Sequence, residues 1–332
     1  DPALDKLLHT LPKVAASQGI ALGGVFKSHH FGVAGHIAEK AAEHRMISIV
    51  LGNTPSAIAP WNGNKALFGT NPLAFGSPTD DGKHFIIDLA VSEVARGKIL
   101  NASLKNEKIP YGWATYKEGK KTDNPHEALK GTMLPFGGAK GAAIALMIEL
   151  LSSALIGANF AFEADSFLDA NGNPPNVGQI LIMIDPASFV TKPSYINRVG
   201  EMMRAINDQD NTYIPGSNRF LLREKAKKYG LSVNAKIIKE ITVATTLTFN
   251  DHAGRIMEVN DADGVITLPS IKSAELGAKY TFFIGTNMTG KIKTDGTDKY
   301  VGSIMVAVDN DAKKAFVPGA TNDVIDMNNG TK

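Results

Sequence analysis

The pattern of apolar residues changes near Glu240, and this change limits the possible folds more than any other feature of the chain. Before it, apolar stretches with helical spacing alternate with short β-rich runs, as in 20–26, 33–44 and 46–51. After it, short β-rich runs are separated by clusters of Asn, Asp and Gly. We therefore predict an α/β layer structure over residues 1–240 and a separate β-rich domain over 241–332.

Two features refine the prediction for residues 1–240. Leucines and a valine recur at helical spacing near the start of the chain, and Pro12 is expected to interrupt or limit that helix. No G-x-G-x-x-G follows any predicted strand, so the fold is not predicted to be a classical Rossmann fold.

Bulk properties exclude several classes of function. A net charge of +2 over 332 residues gives no basis for nucleic-acid binding. The longest apolar run, 142–151, is interrupted by Glu149 and is shorter than the roughly 20 residues of a membrane span. The chain has no cysteine, which excludes disulfides and thiolate chemistry. We predict no metal site, because His29, His30 and His36 lack a standard ligand spacing.

Residues 27–32, which include His29 and His30, lie between a predicted strand and a predicted helix. Ligands of α/β proteins usually bind at strand ends. An imidazole there could exchange a proton with a substrate hydroxyl near neutral pH. The alternative is a loop histidine whose hydrogen bonds are satisfied within the protein. In an extended segment, the two adjacent side chains are expected to point to opposite sides.

The segment 134–141 is rich in glycine, contains Lys140 and precedes an apolar helix. Glycines allow a ligand close to the backbone, and the first amides of a helix bind anions. This segment therefore either holds cofactor phosphates or is a plain turn into a buried helix. Asp88 ends another predicted strand, where it either contacts a ligand or caps a helix beginning near Ser92.

Two other motifs in the C-terminal region are discounted. Residues 285–291 resemble a phosphate loop, but Ile292 stands where Ser or Thr is needed, so we predict a hairpin turn. Asp261 and Asp263 match only part of a calcium loop.

Six segments occur together in one order and spacing. They are Ser28-His29-His30-Phe31-Gly32, Gly69-Thr70-Asn71-Pro72, Asp88-Leu89-Ala90, Ile109-Pro110-Tyr111-Gly112-Trp113, Thr122-Asp123-Asn124-Pro125 and residues 134–141. As a set they resemble the malate/L-lactate dehydrogenase family. The resemblance implies hydride transfer between C4 of NAD(H) or NADP(H) and a small 2-oxo or 2-hydroxy acid. It also implies a homodimer, and we expect a cytoplasmic location.

The resemblance assigns roles to individual residues. It places the proton-exchanging histidine at His30. It places cofactor contacts at Thr70, Asn71, Pro72, Lys140, Gly141 and Gly216. The family often has an acidic residue after the pair that corresponds to Pro215-Gly216, whereas Ser217 stands here.

Two departures from the family leave a second hypothesis open. We expect the chain to lack the family's N-terminal helical segment, which carries a Ser-His-Gly motif and an arginine suited to a substrate carboxylate. Residues from about 242 resemble β-rich head or decoration proteins of tailed phages. The alternative function is therefore a structural virion protein with an inert dehydrogenase-like part.

Overall fold

The computed structural model describes most of the first 230 residues and a series of strands beyond them. The described residues are 2–167, 172–230, 238–248, 256–259, 265–267, 281–284, 291–293, 304–306, 315–317 and 324–326. The chain divides into two compact units, Asp1–Lys227 and Lys228–Lys332. This division lies ahead of the predicted boundary at residue 240, which stays a prediction.

The first unit contains both helices and strands. Its helices are α1 (Pro2–Gln18), α2 (Ala34–Glu43), α3 (Arg96–Lys105), α4 (Pro125–Lys130), α5 (Ala139–Ser152), α6 (Lys192–Asn207) and α7 (Ser217–Tyr229), with 3₁₀ turns at Ala154–Ile156 and Pro186–Ser188. Its strands are β1 (Ile20–Ser28), β2 (Ile47–Gly52), β3 (Leu73–Ser77), β4 (Phe85–Leu89), β5 (Ala114–Thr115), β6 (Lys121–Thr122) and β7 (Val177–Ile184).

Five of these strands form the central sheet, in the order β1-β7-β2-β3-β4. Every neighbouring pair in it is antiparallel. Helices lie on both faces, which confirms the predicted layer structure. The antiparallel pairing distinguishes the sheet from the parallel sheet of a doubly wound dinucleotide-binding fold.

Helices α1 and α2 cover one face of the sheet. Leu4, Leu8, Leu11 and Ala15 recur every three or four residues of α1 and are buried against the strands. The expected interruption at Pro12 is not observed, because the helix continues to Gln18. An internal proline costs roughly 3 kcal/mol. Its ring is buried, so packing of this face offsets that cost.

Helix α5 covers part of the opposite face. Its Ala145 and Ile148 are fully buried in the same cluster as Leu51 of β2 and Ile180 of β7. Within the described part of the chain, only the segment Ala139–Ile156 is long and apolar enough to cross a membrane. Core helices also meet that criterion, and α5 packs on the sheet.

The described residues of the second unit form nine short strands. They are β8 (Ile238–Ile241), β9 (Thr245–Thr246), β10 (Ile256–Val259), β11 (Val265–Thr267), β12 (Thr281–Ile284), β13 (Lys291–Lys293), β14 (Ile304–Val306), β15 (Ala315–Val317) and β16 (Val324–Asp326). Strands β8, β10 and β12 pair in parallel, and so do β9, β11 and β13. The hairpin turn predicted over residues 285–291 falls on residues 285–290, which lie outside the described residues, so it stays a prediction.

Candidate active site

A β-bulge at the end of β1 directs the histidine segment away from the strand. Val25 faces Gln179 and Ser28 faces Val177, so β1 holds one more residue than β7 over this stretch. Lys27, in the bulge, has a φ of +52°, which residues other than glycine rarely adopt. A bulge bends its strand and redirects the chain that follows, so the segment after Ser28 leaves the plane of the sheet.

His29 and His30 are held by short backbone contacts. The backbone N–H of His30 donates to Nδ1 of His29 at 2.7 Å, and that of Gly32 donates to Nδ1 of His30 at 3.0 Å. In each neutral ring the proton therefore lies on Nε2. The side-chain amide of Gln179 donates to the His29 carbonyl at 3.0 Å and ties the segment to β7.

The two histidines do not point to opposite sides as predicted. The ring of Phe167 lies 4.8 Å from the ring of His29 and 5.6 Å from that of His30, centre to centre. The expectation was wrong because these residues have left the extended geometry of β1. Both rings therefore face one site.

That site is a pocket of about 360 Å³. It brings together three segments identified in the sequence, 28–32, 69–72 and 88–90, through His30, Thr70, Pro72 and Asp88. Its volume falls at the lower end of the range for small-molecule pockets. In the described part of the chain, no group of three His, Asp or Glu side chains has the arrangement of a metal site.

Two threonines form a polar wall of the pocket. The Thr54 hydroxyl lies 3.2 Å from the Thr70 hydroxyl and accepts the Thr70 backbone N–H at 2.9 Å. Asn71, which follows Thr70, is fully buried, and its amide donates to the carbonyl of Ala145 and to Glu149. The Asn71 side chain is thus engaged in the fold, and only its backbone remains for the predicted cofactor contact.

Asp88 caps a different helix from the one considered in the sequence. Its Oδ2 accepts the N–H of Gly35, in the first turn of α2, at 2.9 Å. Helix α3 begins only at Arg96 and has no side-chain cap. The same Oδ2 accepts from Arg219 Nη2 at 3.2 Å. Nη1 of Arg219 is buried without a hydrogen-bond partner among the described residues.

The turn before α5 has the backbone geometry predicted for it. Gly137 and Gly138 have φ angles of +59° and +65°, and Gly138, which precedes α5, gives the helix no side-chain cap. Its first amides are thus available to an anion. Lys140 is exposed and is not among the residues that line the pocket.

Two predicted cofactor glycines are required by the fold itself. A Cβ on Gly141 would lie 2.0 Å from the Phe136 carbonyl oxygen. A Cβ on Gly216, whose φ is +86°, would lie 2.6 Å from the carbonyl oxygen of Ile86. These contacts explain the glycines without a ligand, and neither residue lines the pocket.

The sequence and this geometry match one family over most of the chain. The family model described as "Malate/L-lactate dehydrogenase" matches residues 1–242. The chain belongs to this family.

Characterised members of the family show its chemistry. The (2R)-3-sulfolactate dehydrogenase (NADP(+)) of Chromohalobacter salexigens is 39% identical over 224 residues, which are 68% of this chain and 67% of that protein. A Δ1-pyrroline-2-carboxylate/Δ1-piperideine-2-carboxylate reductase of Pseudomonas syringae pv. tomato is 34% identical, over 70% of this chain and 68% of that protein. These relatives are oxidoreductases of hydroxy or imino acids.

Solved structures similar to this chain agree with the family assignment. The Δ1-piperideine-2-carboxylate reductase of Pseudomonas syringae matches with a TM-score of 0.66 and 33% identity over 70% of each chain. Sulfolactate dehydrogenase from Methanocaldococcus jannaschii matches with a TM-score of 0.64 and 34% identity, over 70% of this chain and 67% of that one. The comparisons give no support to the phage-like resemblance of the region beyond residue 242.

Reasoning from the sequence missed several residues that shape this dehydrogenase-family site. Glu149, Gln179, Phe167 and Arg219 had no role assigned to them. Only Glu149 carried a signal, because it is a single carboxylate inside an apolar helix. The others come from distant segments that the fold brings to the histidines or to Asp88.

Proposed function

We propose that this chain is an NAD(P)-dependent oxidoreductase that interconverts a 2-hydroxy acid of the malate or lactate type and its 2-oxo acid. One observation carries the proposal: His30, Thr70 and Asp88, which are far apart in the sequence, line one pocket in a member of an oxidoreductase family. The proposal includes either nicotinamide cofactor, since one relative is named for NADP(+).

The residues present fit a nicotinamide cofactor. The pocket combines the Thr54 and Thr70 hydroxyls with the apolar Pro72 and Leu89, which suits an aromatic ring with a polar substituent. The uncapped start of α5 beside Lys140 suits a phosphate. We assign cofactor contacts to Thr70, the Asn71 backbone, Pro72, Lys140, Gly141 and Gly216. When bound, the reduced nicotinamide supplies the hydride.

We assign proton transfer to His30. In reduction, Nε2 of its imidazolium donates a proton to the oxygen on C2 of the acid, as C2 gains the hydride and the C=O bond becomes C–OH. Oxidation reverses each transfer. The imidazolium carries protons on both nitrogens, so Nδ1 must then release the Gly32 N–H that it accepts here. The catalytic cycle therefore requires a local shift of residues 30–32.

The homodimer and the cytoplasmic location remain proposals. The outer positions of the edge strand β1 support association, because Ile20, Leu22 and Phe26 are each more than half exposed. Sedimentation of the full chain would test the dimer. A monomer at every concentration would contradict it.

Cofactor consumption with a defined set of acids tests the function. The full chain is incubated with NADH or NADPH and pyruvate, oxaloacetate, sulfopyruvate or Δ1-pyrroline-2-carboxylate, and loss of reduced cofactor is followed by absorbance. Succinate serves as the control acid for oxaloacetate, because it lacks the 2-oxo group. We expect turnover with at least one 2-oxo acid and none with succinate. Consumption that does not depend on a 2-oxo or 2-imino acid would contradict the proposal.

A further inference from the structure

Glu149 is a buried carboxylate without a cation. It lies in the apolar helix α5, is 2% exposed and is followed on that helix by the fully buried Ser152. No ion pair among the described residues includes Glu149. Burying a charge without compensation is costly, so its neighbours must stabilise it by other means.

Neutral donors from several segments surround this carboxylate. Its Oε1 accepts from the Asn71 amide at 2.9 Å and from the Gly69 N–H at 3.2 Å. Its Oε2 accepts from the Ala161 N–H at 3.1 Å and, at 3.4 Å, from the Asn53 amide and the Ser153 hydroxyl. Every contact is a donor, which is the environment of an ionised carboxylate.

These donors hold the residues that form the pocket wall. Gly69 and Asn71 flank Thr70, and Asn53 precedes Thr54. The backbone of Asn71 has a φ of +39°, and its Oδ1 accepts the Thr54 N–H at 3.4 Å. The carboxylate thus fixes both chain segments that present the threonine hydroxyls, although it does not itself line the pocket.

We propose that Glu149 is a positioning residue that sets the Thr54–Thr70 wall for the cofactor and the acid. Its effect on turnover rests on the proposed function, whereas its effect on the wall does not. A glutamine at this position would bring an NH₂ group against N–H donors and leave one oxygen to accept. The wall would then loosen while the sheet behind it remained.

The test compares two buried glutamates in the full chain. Glu149→Gln is paired with Glu39→Gln, since Glu39 is also buried in a helix but lies outside the pocket lining. Hydrogen exchange is measured for the amides of residues 54, 69, 70 and 161. We expect exchange at these amides, measured relative to the amides of the central sheet, to be roughly tenfold faster or more in Glu149→Gln and unchanged in Glu39→Gln. The kcat/KM for reduced cofactor should fall by about the same factor only in Glu149→Gln.

Two further variants keep the inference falsifiable. If Glu149→Gln does not fold, Glu149→Asp retains the charge but withdraws it, and the same exchange should quicken. Adding Asn71→Asp to Glu149→Gln reverses the carboxylate–amide pair and should restore part of the lost protection. Wild-type exchange at these amides in a folded Glu149 variant, or equal acceleration in Glu39→Gln, overturns the inference. A wild-type chain without turnover, together with the expected exchange pattern, overturns the proposed function alone.

Discussion

The two faces of the central sheet each bury a glutamate, and the two carboxylates are stabilised differently. On the α2 face, both oxygens of Glu39 accept from Arg223 of α7, at 2.6 and 2.9 Å. On the α5 face, Glu149 accepts only from neutral donors. The ion pair joins two helices and stabilises the fold. The neutral network joins loops and shapes a pocket, so loss of charge on the two faces should affect different properties.

Removing the His30 imidazole should have the largest effect, and it should be confined to the pocket. General acid–base catalysis contributes roughly 10²–10⁴-fold, so His30→Ala should lower kcat by about that factor with cofactor affinity nearly unchanged. Because His29 lines the same pocket, His29→Ala is the matched control and should lower kcat much less. Steady-state kinetics compare the two variants, and a larger loss of kcat in His29→Ala would assign the proton transfer to His29.

Lys140 tests whether the turn at the start of α5 serves the pocket. Lys140→Ala should weaken NAD(P)H binding roughly tenfold or more, because a charge-assisted hydrogen bond is lost. The ring of Trp61 would lie 3.0 Å from a Cβ on Gly138, so tryptophan fluorescence can report on this turn. Lys13→Ala removes an exposed lysine of α1 as a control. Equal affinities for NAD(P)H in the two variants would contradict the assignment of a cofactor contact to Lys140.

On the α2 face, Glu39→Gln should change stability rather than activity. Breaking a buried ion pair costs about 3–5 kcal/mol, and we expect on the order of 2 kcal/mol here because Arg223 is 43% exposed. Urea unfolding measures the loss. A fall in kcat/KM larger than the loss of folded protein explains would contradict the distinction between the two faces.

The same pair makes stability depend on acid pH. The hydrogen bond from Arg223 holds the pKa of Glu39 below its ordinary 4.5. The stabilisation is therefore complete above that value and is lost as pH falls through the lower pKa of the folded state. Unfolding curves across this window should show that the free energy of unfolding falls more steeply with decreasing pH in the wild type than in Glu39→Gln. Parallel curves would contradict the role of the pair.

His84 should give the smallest effect, nearer neutral pH. Burial lowers the pKa of His84 below its ordinary 6.5, so the folded protein favours the neutral ring. Stability should decline as pH falls from 6.5 through the lower pKa of the folded state. His84→Asn keeps an acceptor for the Thr79 N–H, which His84 Nδ1 accepts at 3.2 Å, and should lack this decline. A decline of the same size in the variant would assign it to other groups.

The sequence predicted the elements near the site better than their connections. The strand at 20–26, the helix at 33–44 and the strand at 46–51 match β1, α2 and β2 within a few residues, because periodicity and end signals are local. That the segments 28–32, 69–72 and 88–90 meet could be predicted only from the family resemblance, since nothing local relates residues so far apart in the sequence.

Other features could not be read from the sequence. The shared orientation of His29 and His30 depends on a bulge against β7, and the Glu149 network depends on donors from residues 53 to 161. Asp88 caps α2 rather than a helix next to it in sequence, because the sheet places β4 beside the start of α2. Each outcome was decided by tertiary contacts.

The central claim is that the pocket at His30 transfers hydride from a nicotinamide to C2 of an acid. The most direct test uses NAD(P)H in which both hydrogens at C4 are deuterium, with each 2-oxo acid that the chain reduces, followed by mass spectrometry of the product. We predict one deuterium at C2 of the hydroxy acid, with its rate of appearance reduced by about 10²–10⁴-fold in His30→Ala. Product without deuterium at C2, or labelling at the wild-type rate in His30→Ala, would contradict the account.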